Sequence, residues 1–229
     1  MDTIDLIVQA INEYYDEVQH DPNGRYRSWQ HCYMSFYNAR HVDHPNIDYL
    51  SLHLAFYLAS WGMYRGSAFL LQKDYKIHIP VVERLLDPQC DCLFGLNCSD
   101  LRDDNVQTQL REIVTYLKSY YGGVREDVTN NATQSDISST LITKVLLGTL
   151  GCVPAYDRYF VKGVRACGIA TGTFNIRSIL DLVELYEQNN ARLEEVRNRL
   201  EVYNLPYPQM KLLDMAFWKI GYIIEHNNG

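Results

Sequence analysis

One carboxylate stands out by its setting. Asp157 follows the turn Val153-Pro154 and opens the helical pattern Asp157-Arg-Tyr-Phe160, after the apolar run Thr140–Leu150. A carboxylate at such a corner has two uses: it caps the helix it opens, or it faces a cleft and acts on a ligand. Its exposure decides between them. Tyr156, Arg158 and Lys162 flank it and could hold a ligand or nucleic acid. A second cluster, Arg25-Tyr-Arg-Ser-Trp29, sets Arg25 and Arg27 beside Trp29. Such residues grip phosphates and stack bases, or else start a helix with the ring packed inward and the guanidiniums in water. Arg65 interrupts one of the most apolar stretches of the chain. If buried there, it needs a carboxylate partner or an anion in a cleft.

Other constellations carry less. Cys90-x-Cys92-x5-Cys98, with His78 as a fourth donor, has thiol ligands but the wrong spacing. Structural zinc sites pair two Cys-x2–4-Cys units, and no second pair follows here. Three small thiols in an irregular segment are expected instead. His41-x2-His44 beside Asp43 reads as a solvated loop. The phosphate-loop, dinucleotide, hydrolase and zinc-protease strings are absent. No metal and no cofactor is expected.

The elements that must position these groups are helices. No segment alternates cleanly as a strand would, whereas Ile4, Ile7, Val8, Ile11, Tyr15 and Val18 form a helical stripe. Ser28 suits the cap of a second helix carrying Trp29, Tyr33 and Phe36, and Asn46 suits the cap of a third. That third helix is expected to run over 47–72 as a long, buried, central rod of nearly ~40 Å, at ~1.5 Å per residue. On it, Gly62 and Gly66 would admit either another helix or a ligand. A fifth pattern, Val106–Tyr121, is expected to stop at Gly122-Gly123. The polar stretch that follows makes the loop 122–137 the expected boundary between two lobes. Helices 138–150 and 155–167 then flank the Val-Pro turn, and further patterns begin at Ile176, Leu193 and Leu213. The fold class is all-α, a single compact unit over 1–229 with about eight to ten helices and a cleft between lobes.

Composition narrows the classes of function. The chain has 229 residues, 47% of them apolar, and a formal net charge of −7. That charge argues against broad binding to nucleic acid or anionic membranes. Eighteen tyrosines against seven phenylalanines predict an amphipathic core boundary, because each phenol needs a partner. Met1-Asp-Thr-Ile-Asp lacks a basic region before an apolar one, so no secretion signal is expected. The six cysteines then read as reduced thiols of a cytoplasmic protein. The apolar run near Leu58 is interrupted by His53 and Arg65, which disfavours a membrane span.

The stretch Thr140–Cys152 followed by Val153-Pro-Ala-Tyr-Asp157 resembles part of the helix-hairpin-helix DNA glycosylase superfamily. That resemblance covers roughly 35 residues and implies an all-helical, two-lobed fold with DNA as partner. It also implies that Asp157 stabilises cationic character in the sugar during glycosidic-bond chemistry. The sequence departs from the family at several points. The glycine hairpin would fall near Gln134-Ser-Asp-Ile-Ser138, which has no glycine. The lysine of the bifunctional branch would fall near Ser138, and Lys144 lies further along the helix. Asp157 stands one residue further from Pro154 than in the family. Separately, Tyr26-Arg-Ser-Trp29, Leu58–Ser67 and Lys144–Asp157 resemble a group of bacterial proteins of unknown function, which implies a bacterial cytoplasmic origin and no particular activity.

Two functional expectations follow. One is a non-catalytic helical binding or interaction protein, supported by the missing catalytic signatures and the acidic balance. The other is a glycosylase-like protein acting on nucleic acid. A glycosylase would need Asp157 exposed in a cleft with a basic rim from Arg158, Lys162 or Arg165; Asp157 buried as a helix cap would remove it. An enzyme acting on a small phosphate beside Arg65 is a third expectation.

Overall fold

The computed structural model describes residues 2–129 and 136–227. Among them are ten α-helices, four short 3-10 turns and one two-stranded hairpin, so the fold is all-α. No described helix is long and apolar enough to cross a membrane.

Helix α1 (Thr3–His20) is capped by Asp2 and buries Ile4, Ile7, Ile11, Tyr14 and Val18. Helix α2 (Arg27–Ala39) buries Trp29, Tyr33 and Phe36. Ser28 is not its cap: it lies inside the first turn, and its hydroxyl donates to the Arg25 carbonyl. Helix α3 (Ile47–Ser60) is capped by Asn46, as its sequence suggests, but it ends twelve residues before Gln72. Gly62 takes the left-handed conformation at φ +80°. The amides of Met63 and Gly62 then return to the carbonyls of Leu58 and Ala59 and close the helix. Both Gly62 and Gly66 (φ +60°) therefore shape a turn. Neither makes the close contact with another helix expected of them, and Gly62 lines a surface groove beside the turn.

Helix α4 (Ile79–Leu85) is preceded by a 3-10 turn at Tyr75–His78. Helix α5 spans Asp104–Thr129 and passes straight through Gly122-Gly123. The expected loop 122–137 is therefore helical to Thr129. Its residues 130–135, with Gln134 and Ser135 of the stretch Gln134–Ser138 among them, lie outside the described residues. Helix α6 (Ser139–Thr149) is capped by Ser138, α7 (Arg158–Ala166) by Asp157 and α8 (Ile176–Gln188) by Asn175. Helix α9 covers Asn190–Arg197. Strands β1 (Glu201–Val202) and β2 (Leu205–Pro206) follow, joined through Tyr203 and Asn204. Both linking residues have positive φ, which a tight hairpin turn requires.

The central buried helix is α10 (Gln209–Asn227), whose residues 209–221 are all buried. It packs against α7 and α1. The crossing with α7 is a backbone-to-backbone contact at two glycines. A Cβ on Gly221 would meet the Tyr159 carbonyl, 2.7 Å from its carbon and 2.9 Å from the Gly163 nitrogen. A Cβ on Gly163 would meet the Phe217 carbonyl in turn. Helix α6 is also buried on every side from Leu141 to Thr149. The buried apolar residues from α1 to α10 form one continuous core.

His78 is enclosed in that core. Its two ring nitrogens meet the hydroxyls of Tyr64 and Tyr121, each at 2.7 Å. A neutral imidazole matches this pair, offering one donor and one acceptor. Burial holds its pKa down to about 3. The unfolded chain takes up that proton near pH ~6.5. Between these values the unfolded state binds more protons, so stability falls as pH falls. The difference in unfolding free energy between wild type and His78→Asn is expected to shrink by about 2–3 kcal/mol from pH 6.5 to 4.5. Urea midpoints measured across that range check this, and a constant difference would contradict it.

Candidate functional site

Two largely buried helices carry charge into the core, Lys144 on α6 and Lys211 and Asp214 on α10. A buried ammonium or carboxylate is tolerated only when paired and hydrogen-bonded. The corner around Pro154 supplies the partners. Lys144 Nζ donates to Asp157 Oδ2 at 2.9 Å, while Asp157 Oδ1 accepts the backbone amides of Tyr159 and Phe160 at 3.1 Å each. Lys211 Nζ donates to Asp214 Oδ2 at 2.7 Å, while Asp214 Oδ1 accepts the Ala155 amide at 2.9 Å. Thr143 Oγ1 accepts the Tyr156 amide, and the Thr140 hydroxyl donates to the Tyr156 carbonyl. The segment between α6 and α7 is thus fastened to α6 on one side and α10 on the other. The side chains of Lys144, Lys211 and Asp214 are 3%, 2% and 6% exposed, and that of Asp157 is 14% exposed.

Aromatic rings wall the cluster. Lys144 Nζ sits 4.9 Å from the Trp61 ring centre, and Lys211 Nζ sits 5.0 Å from those of both Tyr14 and Trp29. Ring faces attract cations, most strongly where water is excluded. Trp61 and Trp218 meet edge to face at 5.7 Å, and Arg25 lies over Trp61 from outside. Burial, then the Asp214 carboxylate, push the Tyr14 and Tyr57 phenols well above their ordinary range, so both stay neutral. The space left between Trp61, Trp218 and the two ion pairs is about 10 Å³. That is room for about one water. Trp61 Nε1, buried at the wall, has no acceptor among the described residues.

The residues expected to form a site are only partly gathered. Asp157 and Trp29 belong to this cluster, with Arg25 on its outer side. Trp29 is buried, stacked between Tyr33 and Tyr207, and its Nε1 donates to the Leu147 carbonyl. Arg158 is exposed over the Tyr159 ring, and Lys162 pairs with Glu225 at 2.7 Å. Arg27 reaches Gln19, Gln30 and the Asp21 carbonyl. The Tyr156 hydroxyl meets Ser178 of α8 at 3.0 Å, and burial lifts its pKa to about 12. Arg65 is exposed, not buried, because the helix expected to enclose it ends at Ser60. It lines a groove of about 580 Å³ with Arg125, whose guanidinium donates to the Asp136 carbonyl. All six cysteines are free, and no group of three metal-binding side chains is found among the described residues.

No family model, curated protein or solved structure matches the chain. The chemistry of the cluster therefore stands on its own geometry. A general base must come within about 2.6–3.2 Å of the proton it takes. Asp157 already accepts three protein hydrogens, and the adjoining space is about one water in size. Lys211, Asp214, Trp61 and Trp218 were not among the candidate residues of the sequence. The signal for three of these four residues was available: Lys211 and Asp214 lie one turn apart, with Trp218 beyond them, in an apolar helix.

Proposed function

We propose that this chain is a non-catalytic binding or interaction protein, and that the Lys144–Asp157 and Lys211–Asp214 pairs are the hub that holds its helices together. The observation that carries this is the saturation of Asp157. One oxygen caps α7, the other neutralises Lys144, and the adjoining space of about 10 Å³ admits no sugar or base. Asp157 caps α7 while remaining partly exposed, and its saturated hydrogen bonds support the binding reading over glycosidic-bond chemistry. The reducing conditions of a cytoplasm suit its six unpaired thiols, and we place its work there.

The experiment uses the same residue. Wild-type protein and Asp157→Asn are mixed at low salt with duplexes carrying uracil, oxidised purines or abasic sites. Neither base release nor strand cleavage is expected from either protein. Base release by the wild type that Asp157→Asn abolishes would overturn the proposal in favour of a glycosylase.

A further inference from the structure

A groove of about 580 Å³ opens where three parts of the chain meet: the turn after α3, the body of α5 and the start of α6. That volume lies in the ~300–1,000 Å³ range of small-molecule sites. Phe69, Leu70, Ile137 and Leu141 form its apolar side. Leu70 and Leu141 are buried, and Phe69 and Ile137 are half-buried. Two guanidiniums, Arg65 and Arg125, also line it, and no carboxylate is among its described lining residues.

The fold holds both cations in place. The Arg65 carbonyl accepts the Ala68 amide at 3.1 Å and closes the turn. Its side chain lies back over Gly62, where a Cβ would stand 3.1 Å from Nε and 3.2 Å from Cζ. Phe69 fastens the same turn to α5, with its ring centre 6.4 Å from that of Tyr121. Arg125 donates through Nη1 to the Asp136 carbonyl at 2.6 Å. The rest of its fork has no acceptor among the described residues, and Arg65 has none at all among them. The carboxylates nearest in sequence, Glu126, Asp127 and Asp136, stand outside the groove. Arg197 gives the contrast. It lines a groove of about 300 Å³ beside Tyr33 and Tyr207, but Glu194 neutralises it at 2.7 Å.

We propose that the groove binds a small organic phosphate monoester. Arg65 and Arg125 share its dianion, and its apolar body lies against Phe69, Leu70, Ile137 and Leu141. The inference rests on the reading of the chain as a binding protein and names its ligand class. Charge selects the anion: two cations face one recess in a chain whose net charge is −7. Charge number selects the monoester, because a monocarboxylate would leave one guanidinium unpaired. The planar fork of arginine matches phosphate oxygens in pairs. The apolar side selects an organic ester over the free ion, which would leave that side in water. No bond is made or broken; the ligand is held.

Isothermal titration calorimetry with phenyl phosphate at about pH 7.5, where the monoester is a dianion, tests this. The wild type is expected to bind one equivalent with a Kd on the order of 100 µM. Arg65→Gln is expected to weaken binding at least about tenfold without changing the thermal melting of the free protein, because that side chain is exposed. Arg125→Gln is expected to weaken it by a similar factor, and the double variant to abolish it. Inorganic phosphate is expected to bind at least about tenfold more weakly than phenyl phosphate, and phenol not at all. A wild type that shows no binding up to about 5 mM, or an Arg65→Gln protein that binds as tightly, would overturn the inference. Inorganic phosphate bound as tightly as phenyl phosphate would overturn the apolar half of the site. A lipid headgroup carries the same monoester, so phosphatidylcholine vesicles containing phosphatidic acid form a separate arm. No cosedimentation with them is expected; cosedimentation that Arg65→Gln abolishes would overturn the small molecule in favour of a membrane surface. These readouts are separate from the duplex assay. Failure to bind phenyl phosphate removes this ligand and leaves the binding proposal standing, whereas Asp157-dependent base release removes that proposal whatever the groove holds.

Discussion

Replacing Asp157 by Asn is expected to lower the unfolding free energy by about 3–5 kcal/mol. Asn can still accept the Tyr159 and Phe160 amides, so the helix cap survives in kind. What disappears is the only carboxylate paired with Lys144 among the described residues; that side chain is 3% exposed and its Nζ otherwise faces the Trp61 ring. Removing one member of a buried pair leaves the other charge uncompensated, and that costs more than the pair itself contributes. The reverse change, Lys144→Met, is expected to cost less, about 1–3 kcal/mol. Asp157 keeps its two amide donors and is more exposed. Denaturant titration of both variants at pH 7 checks the order. A cheaper Asp157→Asn than Lys144→Met would contradict this account of the pair.

Gly221→Ala is expected to be comparably severe. The added methyl would overlap the Tyr159 carbonyl, and the facing Gly163 leaves no slack, because a Cβ there meets the Phe217 carbonyl. Neither obstacle is a movable side chain, so α7 and α10 must separate by about 1 Å along their contact. Overpacking of this kind costs about 3 kcal/mol. In a chain of this length that corresponds to a fall in Tm of roughly 6–12 °C. The consequence reaches the cluster, because Asp214 of α10 holds the Ala155 amide and Asp157 begins α7. Gly123→Ala is the control. Gly123 lies within α5 with nothing within 4 Å of an added Cβ, so the substitution is expected to add about 0.5–1 kcal/mol of stability. Differential scanning calorimetry on both variants separates crowding from a general intolerance of changed glycines.

How much of this was legible in the sequence depends on the range of the interaction. Helical periodicity is local, and it located the stripes of α1, α2, α5 and α8 well. Caps are local too, and Asn46 does what its position suggests. Turn chemistry was misread in two places, with opposite signs. Gly62 ends α3 by taking a left-handed conformation, whereas Gly122-Gly123 sits within α5. A glycine tolerates both states, and packing on neighbouring helices decides between them. The cluster itself joins distant segments. Asp214 reaches back 59 residues to Ala155, and Trp29 reaches 118 residues to Leu147, which no periodicity encodes. One rule would nonetheless have found it. A charge in an apolar run must be paired, a requirement that does not bind Arg65, which the early end of α3 leaves exposed. Applied to Lys144, Lys211 and Asp214, the same rule leads to the two ion pairs.

The central claim is that Asp157 serves the fold and not a reaction. Active-site residues are held against the preference of the fold, so replacing them is commonly neutral or stabilising. A structural hub behaves in the opposite way. The most direct measurement is a double-mutant cycle of wild type, Lys144→Met, Asp157→Asn and the double variant, by urea denaturation at pH 7. The prediction is that both single variants are destabilised and that the double variant recovers at least about 2 kcal/mol of their summed loss. Strict additivity, or an Asp157→Asn protein as stable as the wild type, would contradict it.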